Sequence, residues 1–351
     1  MQAIYAAPHH SSPDSLFPTP RGHRLAPEPV SLKAFHADHV PFVLPPGHSF
    51  PAGKYRRLRD RVEGWPGLDV HAADPAGDEV LALAHAPAYV AAVAHGGLSA
   101  AEQRAIGFPW SEAMVARSRR SVGATLAAAR AALAEGVACN LAGGTHHASA
   151  GRGSGYCVFN DVAVAARAVQ ADAAGDGCDA QVRARGGAAP RIVVVDLDVH
   201  QGDGTASIFA GDASVFTLSL HGEKNFPFRK AASDLDVGLP DGCGDGDYLA
   251  ALDAALAVVR REHAARPFGL AFYLAGADPH EGDRLGRLKL SAAGLLERDR
   301  RVFAALRQHR VPVALSMAGG YGHDIEVTVA IQAATIRAAI ESWQGWKNAR
   351  P

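Results

Sequence analysis

Apolar residues in this chain gather in short runs that show no polar face. Ala138–Leu141, Ile192–Leu197, Val215–Leu220, Leu270–Leu274 and Val313–Met317 are the clearest, each in a region bounded by Gly, Pro, Asp or His. Between them lie Ala-rich stretches with helical character, among them Trp110–Glu135, Val162–Ala173, Tyr248–Ala265 and Leu295–His309. Strands apolar on both faces, alternating with helices, predict an α/β fold whose parallel sheet is covered on both sides. The segment Ala174–Pro190 is Gly-rich and polar and reads as a surface loop. Residues 1–33 are rich in Pro, His and Ser without periodicity, and read as a poorly ordered extension or a strap. Residues 34–351 then form one domain, with no internal repeat.

Composition narrows the function classes. With 35 basic and 36 acidic residues, the chain has no electrostatic footprint for nucleic acid or an anionic membrane. No apolar stretch is long enough to span a bilayer, and no secretory leader is evident. Four cysteines (Cys139, Cys157, Cys178 and Cys243) stand apart without a C-x-x-C pair, so neither a disulfide framework nor a thiolate zinc site is expected. Cys139 and Cys157 lie in apolar runs and read as small core residues. A reduced, cytoplasmic setting fits this usage. The composition does not fix the oligomeric state and is compatible with a homo-oligomer.

In open α/β sheets ligands bind beyond the carboxyl ends of the strands, and there the polar residues cluster. Asp196, Asp198 and His200 are spaced by two, so in an extended segment they share a face. Three ionisable groups at the end of an apolar strand are costly without compensation, and a divalent cation supplies it. Asp278, in Ala275-Gly-Ala-Asp278, adds a second carboxylate. Two Asp and one His would leave an open position, as a catalytic zinc site needs. The plainer alternatives are an ion pair followed by a turn, and a capping role for Asp278. His146 and His147 follow Gly143-Gly144-Thr145, and Asp196 and Asp203 are available to orient their rings. A carboxylate on one ring nitrogen fixes the tautomer and raises the basicity of the other, which makes a general base. Tyr321, after Gly319-Gly320, could donate a hydrogen bond to a developing oxyanion, or be a partly buried core residue.

From about Phe35 to Ile336 the chain resembles the histone deacetylase family, especially its class IV-like and bacterial branch. Six motifs carry the likeness, in the family's order: Leu141-Ala-Gly-Gly-Thr-His-His-Ala148, Gly155-Tyr-Cys-Val-Phe-Asn-Asp161, Asp196-Leu-Asp-Val-His-Gln-Gly-Asp-Gly204, Ala275-Gly-Ala-Asp278, Gly282-Asp-Arg-Leu-Gly286 and Ala318-Gly-Gly-Tyr321. The resemblance implies a single-domain arginase–deacetylase fold, with a parallel sheet of about eight strands flanked by helices. It also implies zinc-dependent hydrolysis of acyl-lysine amides in proteins or peptides. Zinc, one per chain, would be held by Asp198, His200 and Asp278, with iron able to replace it in the cell. His146 would pair with Asp196 and His147 with Asp203, the latter being the main general base and acid. Tyr321 would polarise the substrate carbonyl. A structural potassium ion would use Asp196, Asp198, His200, Ser219 and Leu220. Gly155, Tyr156 and one of Phe226 or Phe228 would wall the acyl-lysine tunnel. Leu285 stands where polyamine-specific members carry an acidic gatekeeper, which argues against a polyamine. Gln201 replaces a histidine common in the major eukaryotic classes, and Tyr156 stands where Phe is usual.

Three further readings share the fold or the residues. An amidohydrolase of a small acylated amine would use the same catalytic groups and differ only in tunnel and rim. A catalytically silent binding module would have lost a ligand or Tyr321, and neither is missing. A ureohydrolase needs two metals and more acidic ligands, and fits the His146-His147 and Tyr321 set poorly.

Overall fold

The computed structural model describes residues 31–39, 42–174 and 189–348. Eight strands form one sheet: β1 (Leu32–His36), β2 (Leu68–Ala72), β3 (Val137–Asn140), β4 (Ile192–Asp196), β5 (Val215–Gly222), β6 (Leu235–Leu239), β7 (Leu270–Leu274) and β8 (Val313–Ser316). Their order is β2-β1-β3-β8-β7-β4-β5-β6, and every pairing is parallel. The α/β class, the strand number and the parallel pairing agree with the expectation. Residues 1–30 and most of the expected 174–190 loop lie outside the described residues. Leu32 and Lys33, counted above with the extension, belong to β1.

Strand period explains the two-sided core. Along β4, Val193 and Val195 enter one apolar cluster while Ile192 and Val194 enter the other. In β7, Ala271 and Tyr273 face the first, and Leu270, Phe272 and Leu274 the second. Successive side chains point to opposite faces, so burial of both demands an uninterrupted apolar run. Helices α5 (Glu112–Glu135) and α6 (Asp161–Ala174) cover the second face through Val122, Leu126 and Val162. Helices α8 (Asp245–Ala265), α9 (Ala292–Gln308) and α10 (Ile325–Asn348) cover the first through Leu252, Val302 and Ile336. Shorter helices are α1 (Lys54–Val62), α2 (Asp78–Leu81), α3 (Pro87–His95), α4 (Ala100–Ile106) and α7 (Asp203–Ile208). Capping is local: Ser111 accepts from Met114 N at 3.1 Å and Ser291 from Gly294 N at 3.0 Å, each satisfying a free helix donor.

One polar cluster sits inside this core. Arg298 of α9 is fully buried and pairs with Asp299 at 2.8 Å. Its Nη1 donates to the Gly276 carbonyl at 2.6 Å and to that of Leu197 at 3.4 Å. Those carbonyls belong to the loops after β7 and β4, so the guanidinium ties together the segments that carry Asp278 and Asp198. No helix among the described residues is long and apolar enough to cross a membrane. Cys139, Cys157 and Cys243 are free and buried; Cys178 lies outside the described residues.

Candidate active site

The expected residues meet at the carboxyl ends of five neighbouring strands. His146 and His147 follow β3, Asp196 ends β4 with Asp198 and His200 after it, and Ser219 and Leu220 lie in β5. Asp278 follows β7 and Tyr321 follows β8. Because β4 pairs with β7 and β8 with β3, segments far apart in sequence become adjacent.

Asp198, His200 and Asp278 are buried, and one ligand atom from each lies within 4.8 Å of the others. His200 Nδ1 is 2.9 Å from Asp198 Oδ1 and 3.4 Å from Asp278 Oδ2. Asp198 Oδ2 accepts from Gly319 N at 2.7 Å, and Asp278 Oδ1 from Val199 N at 3.0 Å. Asp278 Oδ2 has no hydrogen-bond partner although it is buried. Burial, then repulsion from Asp198, pushes the Asp278 carboxyl up to about 7. An orphaned carboxylate oxygen beside a second carboxylate and an imidazole fits a divalent ion. Gly319 is required here: a Cβ would stand 1.8 Å from Asp278 Oδ2.

The two histidines each engage their expected carboxylate. His146 Nδ1 lies 2.6 Å from Asp196 Oδ2, and His147 Nδ1 lies 2.6 Å from Asp203 Oδ1. The rings stand 4.2 Å apart between centroids, yet their electrostatics diverge. Burial works against charge on His146, but Asp196 and then Asp198 overcome it and hold the imidazolium up to about 9. Burial, then the charge on His146, lowers His147 to about 4 against the pull of Asp203. Tyr321 is buried, and burial followed by the charge of Asp198 raises its phenol well above the usual range, so it remains a donor.

Of the wall residues, Phe226 packs edge-on against His147 at 4.9 Å, with Gly155 beside both. Gly155 has φ +53°, and a Cβ there would meet His147 Cδ2 at 2.7 Å. Phe228 lies farther out, 88% exposed, with Leu285 at 41%. Tyr156 has φ 64°, held by its amide donating to Ile106 O at 2.8 Å. Its hydroxyl is 2.6 Å from Ser49 Oγ. Because that hydroxyl is committed to Ser49, Tyr156→Phe should leave kcat within about twofold and cost at most about 1 kcal/mol of stability. Steady-state kinetics and urea unfolding check this; a tenfold fall in kcat would place the hydroxyl on the substrate. Gln201 holds a loop, donating to Ala231 O at 2.8 Å and to Asp236 at 2.7 Å. Asp196 and Ser219 stand opposite each other across β4 and β5.

Residues 48–337, most of the chain, match the histone deacetylase domain family. The chain belongs to the histone deacetylase family. An uncharacterised protein of Picosynechococcus is 42% identical over 315 residues, spanning 87% of this chain and 97% of that one. Histone deacetylase 2 of Arabidopsis thaliana is 34% identical over 58% of this chain and 49% of its own length. Among solved structures, a histone deacetylase homologue complexed with SAHA superposes with a TM-score of 0.70 at 25% identity, covering 88% of this chain and 84% of that one. The family and fold expected from the motifs are therefore those of the chain, and its family-level activity is that of a deacetylase hydrolase.

Sequence reasoning passed over several residues that support this deacetylase site. Asp161 accepts from Gly144 N, Thr145 N and the Thr145 hydroxyl at 2.7–2.9 Å, which fixes the loop entering His146. Asp283 accepts from Tyr321 N at 2.6 Å, and Arg284 Nε donates to Tyr321 O at 2.8 Å. Lys54, fully buried in α1, donates to Ala318 O and Gly320 O and lies 5.2 Å from the Tyr321 ring. For Asp161 and Asp283 the signal was present in the quoted motifs. Lys54 stands in an ordinary basic helix, and nothing local marked it.

Proposed function

We propose that this deacetylase-family chain hydrolyses the acyl-lysine amide of proteins or peptides, using one zinc ion held by Asp198, His200 and Asp278. The observation that carries the reading is that His146, His147, Asp198, His200 and Tyr321 line one narrow pocket, with Asp196 and Asp203 hydrogen-bonded to the two histidines and Asp278 completing the buried Asp–His–Asp group. Bound there, zinc would supply Lewis-acid polarisation of the amide carbonyl and of a water. His147, neutral and with Nδ1 on Asp203, takes the proton of the attacking water through Nε2. The Tyr321 hydroxyl donates a hydrogen bond to the carbonyl oxygen as charge develops there. The proton on His147 then passes to the lysine nitrogen as the C–N bond breaks. His146, charged beside Asp196, offsets the developing negative charge. A structural potassium ion at Asp196, Asp198, His200, Ser219 and the Leu220 carbonyl belongs to the same proposal.

The test has two arms. Elemental analysis of purified protein should find one zinc per chain, and little in Asp278→Ala. Active protein without a transition metal would end the metal assignment. A panel of lysine peptides carrying acetyl to myristoyl groups, with free acetylated amines beside them, should show turnover of at least one peptide. Turnover of the free amines alone would favour the small-metabolite amidohydrolase instead.

A further inference from the structure

Outside the catalytic pocket, His147, His200 and Tyr321 also border a wider mouth of about 580 Å³. Its charged lining from outside the catalytic set is of one sign among the described residues: Arg104, Lys224 and Arg287, with no carboxylate other than those of the site below. The three come from different segments, the last turn of α4, the loop after β5 and the loop beyond Asp283, and all are exposed. The whole chain is close to neutral, so this local excess does not reflect a basic protein.

Neutralisation by neighbours is incomplete. Arg287 and Lys224 share a single carboxylate, Asp241, at 3.1 and 3.9 Å, and Asp241 lies outside the lining. Arg104 makes none of the ion pairs found among the described residues. The ordinary explanation for a basic residue at Arg104 is the helix carboxyl end, where a cation is favoured. It does not account for Lys224 and Arg287, which lie on loops and converge on the same opening. Across that opening Phe226 and the exposed Phe228 and Leu285 form an apolar ledge. The mouth therefore pairs an apolar side, suited to the methylene stem of a lysine, with a cationic rim where flanking residues would pass.

Resting on the acyl-lysine reading above, we propose that the preferred substrate is an acyl-lysine set among acidic residues, and that basic, histone-like tails are disfavoured. Charges at a rim act mainly on encounter and ground-state binding, and salt screens them. Exposed ion pairs are each worth a factor of a few, so three together give roughly tenfold.

The experiment compares three peptides with the same acyl-lysine and flanks of Glu and Asp, of Ser and Gly, or of Lys and Arg. At low salt, KM should rise from acidic to neutral to basic, by roughly tenfold across the series, while kcat stays nearly constant. High salt should compress the series. The Arg104→Glu/Arg287→Glu double variant, which touches none of the catalytic groups, should reverse the order and leave kcat on the neutral peptide unchanged. Equal KM values at low salt, or an order that the double variant does not alter, would overturn this inference alone. Failure to turn over any of the three peptides would overturn the acyl-lysine reading, and this inference with it.

Discussion

Tyr321→Phe should lower kcat by about a hundredfold or more while KM changes much less, because a lone oxyanion donor is worth that much in the transition state. The substitution reads the hydroxyl alone, since the ring is held independently of it. The backbone of Tyr321 is gripped on both sides, its N–H by Asp283 and its carbonyl by Arg284. The ring meets Phe50, Tyr156 and His200 at 6.0–6.4 Å between centroids. Phenylalanine would keep these contacts, so zinc content and thermal stability should match wild type. Ground-state binding should also survive, since wall and rim are untouched. Unchanged kcat in a variant of unchanged stability would remove Tyr321 from the chemistry and leave it as packing.

How much of this was legible in the sequence depended on burial. Strands β3, β4, β5, β7 and β8 stand inside the sheet, and most of their residues are buried, so each read as an apolar run. Strands β1, β2 and β6 went unseen. β2 and β6 are the edges, and LDVHA and LDVGL keep only one buried residue each. An edge strand does not need two apolar faces, and its composition resembles a loop. Helix α10 was not among the helical stretches named from the sequence; packing against the sheet overrides the weak preference of its Thr, Val and Ile residues. For the site, Asp196, Asp198 and His200 announced themselves by period-two spacing on one short segment. The partners that position Tyr321 did not. Lys54 stands 264 and 266 residues before Ala318 and Gly320, and only the packed fold brings α1 to the loop after β8.

The two histidines should fail unequally. His147→Ala is expected to lose about 10²–10⁴ in kcat/KM, the usual cost of a general base, whereas His146→Ala should keep measurable activity. The asymmetry follows from their surroundings. Asp196 is nearly sealed from solvent, and Asp198 also bears on His146 at 3.8 Å, so two carboxylates hold its proton. A ring that stays charged cannot accept a proton but can stabilise an anionic transition state. His147 has only Asp203, which is 19% exposed, and stands beside the positive His146. It therefore stays neutral with Nε2 free to accept. This coupling gives a second readout. The charge on His146 disfavours protonation of His147, so its removal in His146→Ala must raise the His147 pKa. A base that protonates more readily is lost at higher pH, and the acid limb of kcat/KM should move upward in that variant. Neither ring is a metal ligand in this scheme, so zinc content should be that of wild type in both. If His146→Ala is the more crippled with zinc intact, the two roles are exchanged. If both variants lose zinc, the histidines hold the ligand loops rather than the proton.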